Sequence, residues 1–236
     1  HLTGASGLDI VTALSDLIDQ IVLKAADYPS SDALQGWGGA LVAIGGYGRR
    51  ERSPSSDIDL MFLIPTGDTT AATRFANDFL CLLWDMKLTV GHSFRTIEDC
   101  METARQDTII ATSKLEARFI AGNSNLFSHF QKTFFSKVAY HDQRVLLEHN
   151  AERGKEEQTP YLQEPNIKTS PGGLRDIHRM KWIALPRYRT SRLSELYKLG
   201  RLTALEHQGL ISAQDFLWRV RNTLHFQNAG DQLTIE

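Results

Sequence analysis

Cysteine is scarce in this 236-residue chain: Cys81 and Cys100 are the two present, and neither sits in a C-x-x-C or zinc-type spacing. A disulfide framework and a zinc-finger class are thereby excluded, and a reduced, cytoplasmic protein is the expectation. No apolar run approaches the roughly 20 residues that cross a bilayer, and no signal peptide is visible. Neither sign of charge dominates, with 26 Lys and Arg against 28 Asp and Glu. A nucleic-acid or membrane-surface partner is therefore not expected. Internal repeats and low-complexity tracts are also lacking. What remains is the composition of a globular protein, 42% hydrophobic and 23% charged, able to bury a core.

Apolar residues at Ile10, Val11, Leu14, Leu17, Ile18, Ile21, Val22 and Ala25 repeat at helical spacing and predict a helix over 8–26. Asp27–Gly39 reads as loop. Ala40–Ile44 reads as a buried strand that runs into a tight turn at Gly45-Gly46-Tyr47-Gly48. Ile58–Ile64 predicts a second strand, ended by Pro65 and Gly67. Thr69–Lys87 predicts a helix with Phe75, Phe79, Leu82, Leu83 and Met86 on its inner face, and Leu88–Arg95 a third strand. Thr96 with Asp99 resembles a capping box opening a helix to Arg105. Helical patterns then cover 108–120, 123–138 and 141–157. Residues 159–173 hold Pro160, Pro165, Pro171, Gly172 and Gly173 and look like a linker; the rest is helical. Strands in the first 95 residues and helices afterwards predict an α+β fold: a small mixed sheet with helices, followed by a helical domain. The expected divisions are an N-terminal helix at 1–30, a catalytic core at 31–122 and a helical domain at 123–236.

One segment carries chemistry: Gly45-Gly46-Tyr47-Gly48-Arg49-Arg50-Glu51, then Ser53-Pro54-Ser55-Ser56-Asp57-Ile58-Asp59-Leu60. Residues i and i+2 of a strand share a side, so Asp57 and Asp59 project together while Ile58 and Leu60 face the core. Adjacent carboxylates repel unless a cation lies between them. Hard divalent ions accept such oxygens and keep places for water and phosphate. The glycines allow close backbone approach to a ligand, and exposed N–H groups there can cradle phosphate oxygens. Arg49, Arg50 and Arg52 add positive charge. The turn is neither the G-x-G-x-x-G fingerprint nor a P-loop, since no G-K-[ST] follows. A D-x-D alone, or a glycine turn alone, is usually structural; their order and spacing together are the specific signal.

Gly45–Leu60 resembles the signature of the DNA polymerase beta-like nucleotidyltransferases, although many members have Ser where this chain has Gly46. A narrower resemblance is carried by GGYGRRE…SPSSDIDLMFL, Val90–Ser93, Leu115–Gly122, Glu164–Lys168 and Ser170–His178. Together these are similar to the bacterial PII uridylyltransferase/uridylyl-removing family. That resemblance implies transfer of UMP from UTP to a tyrosine of the PII signal protein, with pyrophosphate released. It implies Mg²⁺, or Mn²⁺, held by Asp57 and Asp59, and a nucleotide site drawing on Gly45, Gly46, Arg49, Arg50, Ser56, Lys168 and Arg175. It also implies that the family's phosphohydrolase and glutamine-sensing domains lie outside this sequence. Superfamily members often use a third acid. Val90–Thr96 offers none, which leaves Glu116 as the candidate, or else as a helix-surface residue paired with Arg118 or Lys114.

Bland readings stand beside these. His141-Asp142 reads as a helix start, Glu152–Glu157 as a solvated helix face, and Trp182, Trp218 and Phe226 as core. Around Arg175, Asp176 and His178, docking of the two halves is favoured over contact of Lys168 or Arg175 with nucleotide, and a helix cap at Asp176 is the bland reading. Two alternatives stay open: a protein adenylyltransferase of the glutamine-synthetase-modifying type, and a non-catalytic nucleotide-binding module.

Overall fold

The computed structural model describes residues 4–28, 36–67, 69–139 and 165–227. The chain divides into two compact units, one of Thr12–Arg52 with Ser56–His141, the other of His1–Val11, Ser53–Ser55 and Asp142–Glu236.

The first unit is built on a mixed sheet of four strands, in the order β3-β2-β1-β4. These are β1 (Ala40–Ala43), β2 (Ile58–Leu63), β3 (Val90–Arg95) and β4 (Arg118–Gly122). β1 pairs antiparallel with β2 and β4, while β2 and β3 run parallel. The α+β expectation therefore holds. The apolar stripe read at 8–26 forms α1 (Gly7–Asp27), and its Ile18, Val22, Ala25 and Ala26 are buried. They join Leu41, Ala43, Ile58, Leu60 and Phe62 in the core. On the same core lie Phe75, Phe79 and Leu83 of α3 (Thr70–Asp85). Met86, assigned to that inner face, is 44% exposed, because α3 ends one residue before it. Thr96 and Asp99 exchange both capping-box bonds at the start of α4 (Ile97–Gln106).

Two elements differ from the sequence reading. Gly45–Gly48 is not an open turn but one helical turn, α2, with Gly48 and Arg49 N–H donating to the carbonyls of Ile44 and Gly45. The helix predicted over 108–120 stops at Leu115 (α5, Thr108–Leu115), and Arg118–Gly122 becomes the strand β4. Pairing with β1 decides this: Ala43 faces Arg118, Val42 faces Phe119 and Leu41 faces Ala121, with a register shift between Leu41 and Val42. Asn123 then caps α6 (Ser124–Phe134), followed by a π turn, Phe135–Ala139. The expectations for 141–157, including His141-Asp142, fall outside the described residues, as do 29–35 of the first loop and 159–164 of the linker-like stretch.

The second unit contains α7 (Leu174–Tyr188), α8 (Leu193–Lys198) and α9 (Ala204–Gln227). Its apolar cluster joins Val11, Ile167, Leu174 and Trp218. Trp182 and Trp218 are buried as expected, but Phe226 is 64% exposed and is surface, not core. No described helix is long and apolar enough to cross a membrane.

Candidate active site

Asp57 immediately precedes β2 and is exposed; Asp59 is the second residue of the strand and is half-buried. Ile58 and Leu60 are fully buried in the core, so the alternation read from sequence places Asp59 on the opposite face. One backbone bond brings the glycine turn to it, and one strand pairing brings Gly91. The Asp59 carbonyl accepts the Ile44 N–H at 3.1 Å, one residue before α2. Asp59 also pairs with Gly91 across the parallel β2–β3 ladder.

The carboxylate itself sits between two glycines. A Cβ on Gly91 would fall 2.8 Å from Asp59 Oδ1, and one on Gly45 3.2 Å from Asp59 Oδ2. Gly45 also has φ +59°, which other residues adopt only under strain. Gly48 is glycine for another reason: a Cβ would strike the Glu116 carbonyl and lie 2.9 Å from the Ala43 carbonyl. At Gly46 the nearest atoms are a guanidinium nitrogen of Arg49 at 3.7 Å and the Glu51 carbonyl at 3.9 Å, so packing does not demand glycine there. The three glycines thus serve backbone conformation, close packing and open space respectively.

The arginines beside the turn are matched with acceptors. Arg49 donates to Glu51 at 2.7 Å and to Glu116, all three largely buried. Burial opposes the charge of Arg49, but Glu116 and then Glu51 more than reverse that, leaving its pKa above the ordinary value. Arg50, in the left-handed region at φ 61°, pairs with Asp16 of α1. Arg52 donates to the Ser56 carbonyl at 2.7 Å. Burial lowers its pKa, with Tyr47 and Asp57 opposing. Arg49 and Arg50 are thus answered by carboxylates, while Arg52 is held by a neutral carbonyl.

Glu116 caps the C-terminal end of α5, and its partner is Arg49, not the neighbouring Arg118 or Lys114 considered from sequence. Arg118 instead forks onto Asp19 of α1 at 2.8 and 3.0 Å. Sequence reasoning passed over Asp19 and Tyr47; an acid on a charged helix face, and a tyrosine inside a glycine turn, were the signals available.

Lys168 and Arg175 belong to the helical unit. There Asn166 Oδ1 accepts the Lys168 and Thr169 N–H groups at 2.9 and 3.0 Å, and the Arg175 N–H donates to the Lys168 carbonyl at 2.8 Å. The Arg175 guanidinium lies 5.4 Å from the Trp182 ring centroid. Asp176 accepts the Gly172 N–H at 2.8 Å and an Arg179 N–H at 3.0 Å. The segment folds as a hydrogen-bonded turn that opens α7, with Asp176 in the first turn of that helix.

Among the described residues, no cluster of three or more His, Cys, Asp or Glu could close a metal site from protein ligands alone. The donors present are two carboxylates two residues apart, Asp57 just before β2 and Asp59 within it, the latter fitted between glycines. That set suits a hard divalent ion which takes its other ligands from water and phosphate. A small mixed sheet, a glycine turn after its first strand and an Asp-x-Asp on the next make this a nucleotidyltransferase-like core.

Comparison with known proteins narrows the class. The family model described as GlnD PII-uridylyltransferase matches residues 142–235. The bifunctional uridylyltransferase/uridylyl-removing enzyme of Photobacterium profundum is 38% identical over 226 residues, 93% of this chain and 25% of that protein. Its namesake in Aliivibrio fischeri is 37% identical over 225 residues, with the same coverage. That of Vibrio parahaemolyticus is 40% identical over 192 residues, 80% of this chain and 22% of the relative. The chain belongs to the family of these bifunctional enzymes and spans about a quarter of their length.

Proposed function

We propose that the sheet-bearing unit transfers UMP from UTP to a tyrosine hydroxyl of a PII signal protein. The observation that carries this reading is the Asp59 carboxylate, fitted between Gly45 and Gly91 and separated from Asp57 by Ile58 alone. The names of the relatives supply the base and the acceptor.

In this reading Asp57 and Asp59 hold Mg²⁺, or Mn²⁺, against the triphosphate, and Gly45 and Gly46 bring backbone N–H groups to its phosphates. A bound divalent ion offsets charge on the attacked phosphoryl group and on the leaving pyrophosphate. The tyrosyl oxygen forms a bond to the α-phosphorus as the α–β bridging P–O bond breaks; pyrophosphate departs and the phenolic proton passes to water. The matched arginines support a role for the cation. With Arg49 held by Glu51 and Glu116, and Arg50 by Asp16, these two guanidiniums are already neutralised by carboxylates. Glu116 accordingly acts as a positioning residue for Arg49 and is not placed on the metal.

The test incubates the chain with Mg²⁺, PII protein and UTP labelled at the α-phosphate, with ATP as competitor. Label is expected on a PII tyrosine. The double variant Asp57→Asn, Asp59→Asn is expected to retain its fold and to lose transfer by about a thousandfold or more. Unchanged transfer by that variant removes the site assignment. Preference for ATP instead moves the protein to adenylyl transfer.

A further inference from the structure

Helix α1 holds the glycine turn by three successive grips. Ser15 Oγ accepts the Arg52 N–H at 3.3 Å, Asp16 pairs with Arg50, and Asp19 accepts the Tyr47 hydroxyl at 2.6 Å. Positions 15, 16 and 19 lie on one face of a helix, and their partners run in the reverse order along 52, 50 and 47. The Asp19 grip has the most bonds around it. Tyr47 is 1% exposed, and Asp19 is locked in turn by both terminal nitrogens of Arg118. Arg118 also donates to the backbone of the turn, to the Tyr47 carbonyl at 3.2 Å and the Gly48 carbonyl at 3.3 Å, and stacks 5.2 Å from the Tyr47 ring centroid. Burial, then the hydrogen bond and charge of Asp19, push the Tyr47 hydroxyl above the ordinary phenolic range, so it stays a donor.

A turn with three glycines in four residues has little helical preference of its own, each glycine costing about 1 kcal/mol against alanine. Its geometry must be supplied from outside, and this network supplies it. We propose that Asp19, Arg118 and the Tyr47 hydroxyl are positioning residues for nucleotide binding: they fix the height and tilt of Gly45–Gly48, and thereby set affinity for the triphosphate without touching it. The inference rests on the proposed nucleotidyl transfer.

The experiment uses the 236-residue chain with the variants Tyr47→Phe, Asp19→Asn and the two combined. Calorimetry reads the Kd for magnesium UTP, kinetics read KM and kcat, and thermal melting reads the fold. Tyr47→Phe, which deletes one oxygen and keeps the ring, is expected to raise Kd and KM about tenfold while kcat changes less than about threefold. The double variant is expected to resemble the worse single variant, because both act through one network. A merely structural role lowers the melting temperature and the active fraction but leaves Kd unchanged. A Tyr47→Phe protein that binds UTP as the parent does overturns the inference while the transferase reading stands. A parent chain that fails to bind UTP overturns both.

Discussion

The two units place their polar side chains to different ends. In the sheet-bearing unit, ions converge on a few residues of backbone: the largely buried Arg49 with Glu51 and Glu116 and Arg118 with Asp19, and the half-exposed Arg50 with Asp16, surround Gly45–Gly48. In the helical unit the corresponding contacts shape the chain itself. Asn166, Ser170 and Asp176 hold the turn before α7, and the ring of Trp182 takes up Arg175. Breaking a buried ion pair from one side costs several kcal/mol, while a turn bond exposed to water costs about 1 kcal/mol. Such an expense around one glycine turn is what a site requires and a packed bundle does not. The comparisons divide along the same line: the family model falls on 142–235, within the span of the helical unit, whereas the chemistry is read from 45–59.

The widest separation between the units is expected from two glycine substitutions that look alike. Gly91→Ala places a methyl group against Asp59 Oδ1, whereas Gly173→Ala meets the carbonyls of Ile167 at 2.7 Å and Ser170 at 2.9 Å. Gly91→Ala is expected to lower UMP transfer about a hundredfold or more, since displacing a reacting group by about an ångström has that effect. Its melting temperature should move little, because the carboxylate can swing toward water. Gly173→Ala should instead lose about 1–3 kcal/mol of stability and leave the KM for UTP unchanged. Steady-state kinetics beside denaturant melts decide it; a Gly91→Ala enzyme of normal activity breaks the contrast.

Next in size is Glu116→Gln. It leaves Arg49 with Glu51 alone, and about 1–3 kcal/mol of stability should go, less than the full loss of a buried pair because one carboxylate stays. The midpoint of urea unfolding measures this. Were Glu116 a metal ligand, the result would reverse: stability nearly kept, activity lost and the Mg²⁺ requirement raised. Asp176→Asn is the counterpart in the helical unit. Asp176 is 44% exposed, so less than about 1 kcal/mol is expected.

Much of the sheet was legible because its signals are local. The apolar runs at Leu60–Leu63 and Ala40–Ala43, and Thr96 with Asp99, each carry their own evidence. β4 was not, since Leu115, Phe119 and Ile120 fit a helical stripe as well as a strand. What makes 118–122 a strand is a distant partner, Ala40 facing Gly122 82 positions away at one end of the ladder and Ala43 facing Arg118 75 positions away at the other. The paired aspartates could be picked out by spacing, but not the partners of the arginines. Arg49 finds Glu116 67 positions away and Arg118 finds Asp19 99 positions away. The helical form of Gly45–Gly48 was hidden for the same reason: its residues argue against a helix, and its clamps lie elsewhere in the chain.

A smaller effect belongs to pH. Lys114 is buried, donating to the Cys100 carbonyl at 3.2 Å and Thr103 Oγ1 at 2.6 Å, and burial lowers its pKa from 10.5 to about 8. Burial raises the nearby Cys100 thiol from 9.0 to about 11. Between about pH 8 and 10.5 the unfolded chain keeps a proton that folded Lys114 has released, so stability rises with pH. Between 9 and 11 unfolded Cys100 loses a proton that the folded thiol keeps, so stability falls. The parent protein should gain stability just above pH 8 and then level off. Cys100→Ala should continue to gain up to about pH 10.5, by about 2–3 kcal/mol in total. A flat profile for Cys100→Ala would show that Lys114 is charged in the fold throughout. Hydrogen exchange should confine the effect to residues 97–115 of the sheet-bearing unit.

The finest comparison uses a feature the two units share. Arg50 and Arg189 each end a helical turn in the left-handed region, at φ 61° and 62°. Glycine at either position relieves about 1–2 kcal/mol of backbone strain, but gives the unfolded chain about 0.5–1 kcal/mol of extra entropy. Arg50→Gly also loses an ion pair whose members are 46% and 43% exposed, which contributes at most about 1 kcal/mol. Both variants should therefore stay within about 1 kcal/mol of the parent. They part in function. Arg50 adjoins the glycine turn and ties it to α1, so Arg50→Gly should raise the KM for UTP about three- to tenfold, while Arg189→Gly should leave it alone. Equal shifts in both would trace the effect to the backbone change and not to the place of Arg50 beside the site.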